Sequence, residues 1–283
     1  MTLIVYHFVK LRKRELKNGT MKRCVAVGNF KECCMKRRTV LILVFLSGMG
    51  VAFAKTDAWK NKAPFNVGER LRFQVSWGVA RAGYATMEVA GVESIGGRQC
   101  YHIVSGVATA PVFDRIFRVR NTYESWLDCG ELLSRKFVAR FSEGSYKKVE
   151  TLLFDRKKQV FSLLESGRTG KAPASIQDVV SALYNLRAKP LAVGKSYLLD
   201  AQMGSTSWPL VVSVLYKEKI SVPAGDFDCF VVRPLHRKYA GNPDAQGTIL
   251  VWLSADEKKI PVRIDCQLPL GSLSVDLLEV NGI

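Results

Sequence analysis

Residues 249–266 read ILVWLSADEKKIPVRIDC. Two runs of aliphatic and β-branched residues, ILVWLS and PVRIDC, flank the polar stretch Ser254-Ala255-Asp256-Glu257-Lys258. A helix would repeat its apolar residues every three or four positions, whereas a half-buried strand alternates them at period two. Val262-Arg263-Ile264-Asp265 alternates in that way, so the stretch predicts an antiparallel hairpin.

The pattern extends outward in both directions. LRFQVSW, ATMEVAGV, CYHIVSG, KFVARF and VETLLF in the first half, with PLVVSVLY, CFVVRP and LSVDLLEV in the second, are short runs bounded by Gly, Asn, Asp and Pro. Ile95-Gly96-Gly97-Arg98 and Ala224-Gly225-Asp226 supply residues tolerant of tight turns and predict two further hairpins. The expected fold is mainly β, an antiparallel curved sheet. One α-helix is expected at Ser175–Ala188, where Ile176, Val179, Val180, Leu183, Tyr184 and Leu186 recur at helical spacing, Ser175 offers a cap and Pro190 a stop. In TAPVFDRIFRVR (109–120), Val112, Phe113, Ile116 and Phe117 share a helical face, read as a short lid over one end of the sheet or as a turn covering the core.

The chain also repeats itself. Pro64-Phe65-Asn66-Val67-Gly68-Glu69 is echoed 126 residues later by Pro190-Leu191-Ala192-Val193-Gly194-Lys195. Cys100-Tyr101-His102-Ile103-Val104 matches Cys229-Phe230-Val231-Val232 at an offset of 129, Trp126-Leu127 matches Trp252-Leu253 at 126, and Leu152-Leu153 matches Leu277-Leu278 at 125. Ordered landmarks at nearly one offset predict two similar β-modules, which could close into a barrel, an open half-barrel or a sandwich. The organisation expected is an unstructured extension or misassigned start at 1–34, a signal peptide at 35–54, a first β-module at 55–174, a connecting helix at 175–189 and a second β-module at 190–283.

Export is read from MKRRTVLILVFLSGMGVAFA (35–54): a basic head of Lys36, Arg37 and Arg38, an apolar middle at Val40–Leu46, and the small-x-small sequence Ala52-Phe53-Ala54 that places cleavage after Ala54. A spanning helix needs about twenty apolar residues. Thr39–Ala54 supplies sixteen, interrupted by Ser47, Gly48 and Gly50, so an uncleaved anchor is the alternative reading. Removal of 1–54 leaves 31 Lys and Arg against 23 Asp and Glu, which lowers the net charge from +17 to +8. Arg70, Arg72, Arg98, Arg135, Arg156 and Arg233 are scattered singly among apolar residues, which argues against a nucleic-acid partner. Membrane contact is expected only through the signal segment before cleavage, and the sequence does not set an oligomeric state. An oxidising compartment could join Cys100, Cys129, Cys229 and Cys266 in three ways, with free buried thiols as the alternative.

Catalytic constellations are missing from the sequence. It has no Gly-x-Ser-x-Gly elbow, His-Glu-x-x-His, Walker loop or dinucleotide fingerprint. His102, in a strand, and His236, in a polar loop, are too few for a triad or a multi-histidine metal site, and no catalytic residue, metal or cofactor is assigned. Asp256-Glu257 is the most conspicuous acidic pair, but its turn setting argues against a glycosidase-like site. Trp77, Phe113, Phe117, Trp126 and Trp252 are candidate lining residues for an apolar cavity in the curved sheet, with core filling as the competing role.

PFNVGERLRFQVSWGVARAGYATMEV (64–89), QDVVSALYNLR (177–187), VPAGDFDCFVV (222–232) and GTILVWLSADEKKIPVRIDCQLPLGSLSVDL (247–277) occur in this order. With these motifs the chain resembles the bacterial exported family catalogued as domain of unknown function 3108. That resemblance implies an envelope protein with a signal peptide and a β-rich fold, and brings no reaction, cofactor or catalytic residue. The expected function is a non-enzymatic periplasmic β-protein that binds an apolar or amphipathic envelope ligand such as a lipid. The alternatives are a structural or interaction module of the cell envelope without a ligand cavity, and a glycan hydrolase.

Overall fold

The computed structural model describes residues 63–239, 248–268 and 271–283. The extension at 1–34, the signal segment at 35–54 and its cleavage after Ala54 lie outside the described residues. A first meander comprises β1 (Arg70–Trp77), β2 (Ala80–Ile95), β3 (Arg98–Thr109), β4 (Arg120–Asp128), β5 (Ser134–Glu143) and β6 (Tyr146–Asp155), and the short β7 (Val160–Leu163) and β8 (Arg168–Lys171) extend its outer edge. A second meander comprises β10 (Ser196–Met203), β11 (Thr206–Val222), β12 (Gly225–His236), β13 (Ile249–Ser254), β14 (Pro261–Leu268) and β15 (Gly271–Asn281), with β9 (Ile176–Asp178) on its outer edge. The fifteen strands of the described residues form one sheet, ordered β8-β7-β6-β5-β4-β3-β2-β1-β15-β14-β13-β12-β11-β10-β9. Of the three architectures expected, the result is an open, curved sheet, neither a closed barrel nor a sandwich.

The hairpin that opened the sequence reading is β13–β14, paired from Ile249↔Cys266 to Leu253↔Pro261. Its register shifts between Trp252 and Leu253, and β4–β5 shifts at the matching place, between Trp126 and Leu127. The duplication extends to single hydrogen bonds. Gly68 N–H donates to Val89 O at 2.8 Å and Val89 N–H to Glu69 O at 2.9 Å; Gly194 N–H donates to Val214 O at 2.9 Å and Val214 N–H to Lys195 O at 2.8 Å. Gly68 and Gly194 sit at φ of 92° and 83°, which explains why the Val-Gly pair survives in both copies.

Strict repetition would pair β6 with β10, as β15 pairs with β1. Instead β6 pairs with β7, and β10 pairs in parallel with β9. The chain between the meanders occupies the place where the wall would have closed.

Two sequence expectations are corrected. The helix expected over 175–188 is confined to α2 (Ser181–Arg187), and Ile176–Asp178 is strand instead. Asp178 sets the boundary, since its Oδ1 accepts the N–H groups of Val180 and Ser181, both at 2.8 Å, while Ser181 Oγ accepts Asp178 N–H at 2.8 Å. Local capping of this kind competes with helix upstream of the cap. Ser175, the expected cap, donates to Asp200 at 3.3 Å. The second correction concerns 109–120, where α1 (Pro111–Asp114) is a single turn and Val112 and Ile116 project into solvent, covering neither the sheet end nor the core. The chain must reach the Val119↔Glu143 bridge within a few residues, and Asp114, bound by Thr109 Oγ1 and Arg120, ties the two ends of the segment together. That leaves no length for a second turn.

The close approach of β2 to β3 yields a stability prediction. A Cβ on Gly83 would lie 2.2 Å from Ala108 O, whereas one on Gly91 would meet nothing within 4 Å. Gly83→Ala should cost about 1–3 kcal/mol in urea unfolding, and Gly91→Ala under about 0.5 kcal/mol. Equal costs would show that the approach is not a constraint.

Candidate functional site

The segment 176–187 lies against the inner face of the sheet with an unusual load of buried polar groups: Gln177, Asp178, Ser181, Asn185 and Arg187. Burying such groups is costly unless each is paired. Asp178 Oδ2 accepts the hydroxyls of Ser125 at 2.6 Å and Ser134 at 2.5 Å, which fills the carboxylate's acceptor sites together with the two N–H bonds of the cap. Burial pushes the Asp178 carboxyl up, against the pull of Ser125, Ser134 and the backbone donors. Gln177 Nε2 and Asn185 Nδ2 both donate to Leu132 O, at 2.9 and 2.8 Å, and Gln177 Oε1 accepts Ser134 N–H.

Arg187 is fully buried. It grips Glu69, itself 1 % exposed, through Nη1 to Oε1 at 2.6 Å and Nη2 to Oε2 at 2.7 Å, and its Nε donates to Lys258 O at 3.0 Å. The rings of Phe65 and Tyr184, meeting edge to face, lie 5.4 and 4.9 Å from the guanidinium carbon. Leu132 and Lys258 belong to the equivalent turns of β4–β5 and β13–β14. One segment therefore docks the same turn of both modules from the inside.

The apolar face of α2 works on the other side. Ala182, Leu183 and Leu186, with Val179 just before the helix, face Leu199, Leu210, Val212, Val232, Val251 and Ile264 across a cavity of about 60 Å³. The five aromatic residues expected to line a cavity lie elsewhere. Phe113 and Phe117 belong to the α1 segment, and Trp77 stands at the end of β1, its Nε1 3.0 Å from where a Cβ on Gly271 would be. Trp126 packs with Cys100 and Val138 in a small cluster apart from the main core, stacks on His102 at 4.5 Å and lies under the Lys136 ammonium at 4.1 Å. Trp126 and Trp252 donate to Glu93 and Glu218 at 2.7 and 2.6 Å, one more repeated pair. Of the residues that line this cavity, Val179, Leu183 and Leu186 stand at helical spacing in the sequence.

The remaining candidates are also placed. Cys100, Cys129, Cys229 and Cys266 are free thiols. Cys100 stands opposite Glu93 and Asp128, Cys229 opposite Glu218 and Ser254, and Cys266 opposite Ile249 and Leu273, so no two of these three face each other across a strand pair. Burial pushes the Cys229 thiol up to about 12 and those of Cys100 and Cys266 to about 11, which makes them poor nucleophiles. Asp256 accepts Ser254 Oγ at 2.6 Å and the N–H groups of Lys258 and Lys259, a turn-forming role. His102 has Glu93 and Glu124 each 2.9 Å from a ring nitrogen. His236, expected in a loop, ends β12, where burial, Lys238 and Arg237 lower its pKa. Among the described residues no group of three His, Cys, Asp or Glu is arranged to hold a metal ion, and no helix is long and apolar enough to cross a membrane.

An open curved sheet filled by a polar plug and an apolar pocket defines a β-barrel-like protein whose wall does not close. The chain belongs to the family described as protein of unknown function (DUF3108), whose profile matches residues 72–278. Among solved structures it is similar to a β-barrel-like protein of domain of unknown function DUF1849 from Brucella abortus, at 10% identity and TM-score 0.51 over 76% of this chain and 98% of that one. It also matches a "putative exported protein with YmcC-like fold" from Bacteroides fragilis (12% identity, TM-score 0.32, 77% and 98% covered) and a "putative lipoprotein" from Parabacteroides distasonis (10%, 0.30, 77% and 98%). The first likeness concerns the fold alone. No curated protein matches the sequence.

Two outcomes test the buried ionic groups, the first of them the plug. Arg187→Met leaves Glu69 buried without its partner and should cost about 3–5 kcal/mol in urea unfolding, while adding Glu69→Gln should recover part of the loss. A cost under about 1 kcal/mol would show that the pair is dispensable. The second outcome concerns Asp128, buried at the end of β4. Burial alone would raise its carboxyl, but hydrogen bonds from Arg98, from the N–H groups of Glu131 and Gly130, and from Arg135 outweigh it and hold the group at about 2. Its folded value lies below the ordinary carboxylate value near 4, so its stabilisation is present above pH ~4 and lost as pH falls from there toward 2. Asp128→Asn should flatten the acid-unfolding curve in that window.

Proposed function

We propose that the protein is a non-catalytic periplasmic β-protein that holds the apolar end of an amphipathic envelope molecule, such as a lipid acyl chain, between α2 and the inner face of the second module. The observation that carries this reading is the cavity of about 60 Å³, lined almost entirely by aliphatic side chains. An engineered void of about 150 Å³ stays dry and takes up a benzene. The cavity is less than half that size, so it suits the tip of a chain with the rest of the molecule outside. Periplasmic residence rests on the export tag at 35–54, and the non-catalytic assignment on the absence of a catalytic motif in the sequence.

Two measurements test the proposal. Native mass spectrometry of the protein after mild purification should show a bound species of lipid mass. Titration with a fluorescent long-chain fatty acid should show saturable binding that Ala182→Leu, which fills the cavity, weakens at least tenfold and that Val92→Leu on β2 leaves unchanged. A ligand-free protein with no uptake of the fatty acid or of envelope lipid extract would overturn it in favour of an interaction module.

A further inference from the structure

We infer that one end of the first module is a docking surface for an anionic lipid bilayer. The β1–β2 turn, the α1 segment and the β5–β6 turn meet at this end of the sheet, where Ala110 N–H donates to Ala82 O and Gly144 N–H to Arg118 O, both at 2.8 Å. Each segment brings side chains that the fold does not use. Val79 is fully exposed at the tip of the β1–β2 turn, and Val112 and Ile116 are 74 % and 79 % exposed. Phe117 is also exposed, with one face over Gly144. Large aliphatic side chains gathered on adjoining turn tips are an unfavourable way to meet water and a favourable way to meet a membrane interface.

Charge on the same tips selects the occupant. Arg81, Arg115, Arg118 and Lys147 are exposed, and among the described residues none has a carboxylate within ion-pair distance. The two acidic side chains of these segments are already engaged: Asp114 pairs with Arg120, and Glu143 is buried and accepts Asn121 Nδ2 at 2.6 Å. What these tips present to solvent is cations together with large apolar side chains. A bilayer of anionic lipids offers the complement to both, with phosphates for the guanidinium groups and acyl boundary for Val79, Val112 and Ile116. This surface is separate from the cavity under α2, and it adds membrane contact to what the sequence assigned to the signal segment alone.

The test places a reporter on the surface. In the exported form recovered from the producing cell, Ile116→Trp should blue-shift and be quenched by vesicles of brominated phosphatidylglycerol, while Val92→Trp, toward the other end of β2, should not. Neither should respond to neutral phosphatidylcholine vesicles. Replacing Arg115 and Arg118 by Ser should weaken binding of the Ile116→Trp protein by tenfold or more at low salt, since each cation near an anionic surface contributes about fivefold. Salt at 0.5 M should weaken the unreplaced surface comparably. Equal quenching at positions 92 and 116, no quenching at 116, or insensitivity to both charge removal and lipid headgroup would overturn the inference. So would a surface that binds a protein partner stoichiometrically while vesicles leave position 116 unquenched.

Discussion

Arg187 and Glu69 form the interaction on which the architecture turns. They lie 118 positions apart in sequence, are both buried, and meet through two parallel hydrogen bonds. Such a pair carries a large desolvation cost, offset only by complete pairing, and here Lys258 O and the rings of Phe65 and Tyr184 surround the remaining face of the guanidinium. Glu69 leads into β1 of the first module, and Lys258 sits in the β13–β14 turn of the second. A single side chain on the connecting segment thus fixes the position of both halves relative to the plug.

The pair also marks where the two copies ceased to be equal. Lys195 occupies the position that corresponds to Glu69, and it is exposed. The Val-Gly pair and its backbone hydrogen bonds are kept in both copies, while Phe65 and Asn66 are Leu191 and Ala192 in the second. Glu69 and Phe65, replaced by Lys195 and Leu191 in the other copy, therefore give the connecting segment a unique partner, and with it a unique seat inside a nearly symmetric sheet. The same segment supplies β9, which takes the edge of β10, while β7 takes that of β6, so the wall stays open on both sides of the plug.

Much of this was legible in the sequence. Alternation located the strands, and the landmarks Val-Gly, Cys-aromatic and Trp-Leu located the duplication, because each serves a repeated structural need: a left-handed glycine, a packed strand, a bulge with an indole hydrogen bond. The boundary of α2 was not legible, since Ser175-Ile176-Gln177-Asp178 fits a helical period as well as a strand and only the reciprocal Asp178–Ser181 bonding decides between them. The role of Glu69 was hidden by distance along the chain. The cavity beside α2 was not legible either: aromatic content drew attention to Trp126 and Trp252, which spend their indole N–H groups on glutamates, while this cavity is lined by aliphatic residues.

The central seam of the sheet pairs β1 with β15, the first strand with the last, from Arg70↔Asn281 to Trp77↔Leu273. Each meander can assemble from neighbours in sequence, but this ladder must wait until β15, about two hundred residues after β1, is present. Contacts of such long separation are slow to form and leave two strand edges uncovered in the interim. Until β15 is in place the two meanders share no ladder, so each must keep its own register without help from the other.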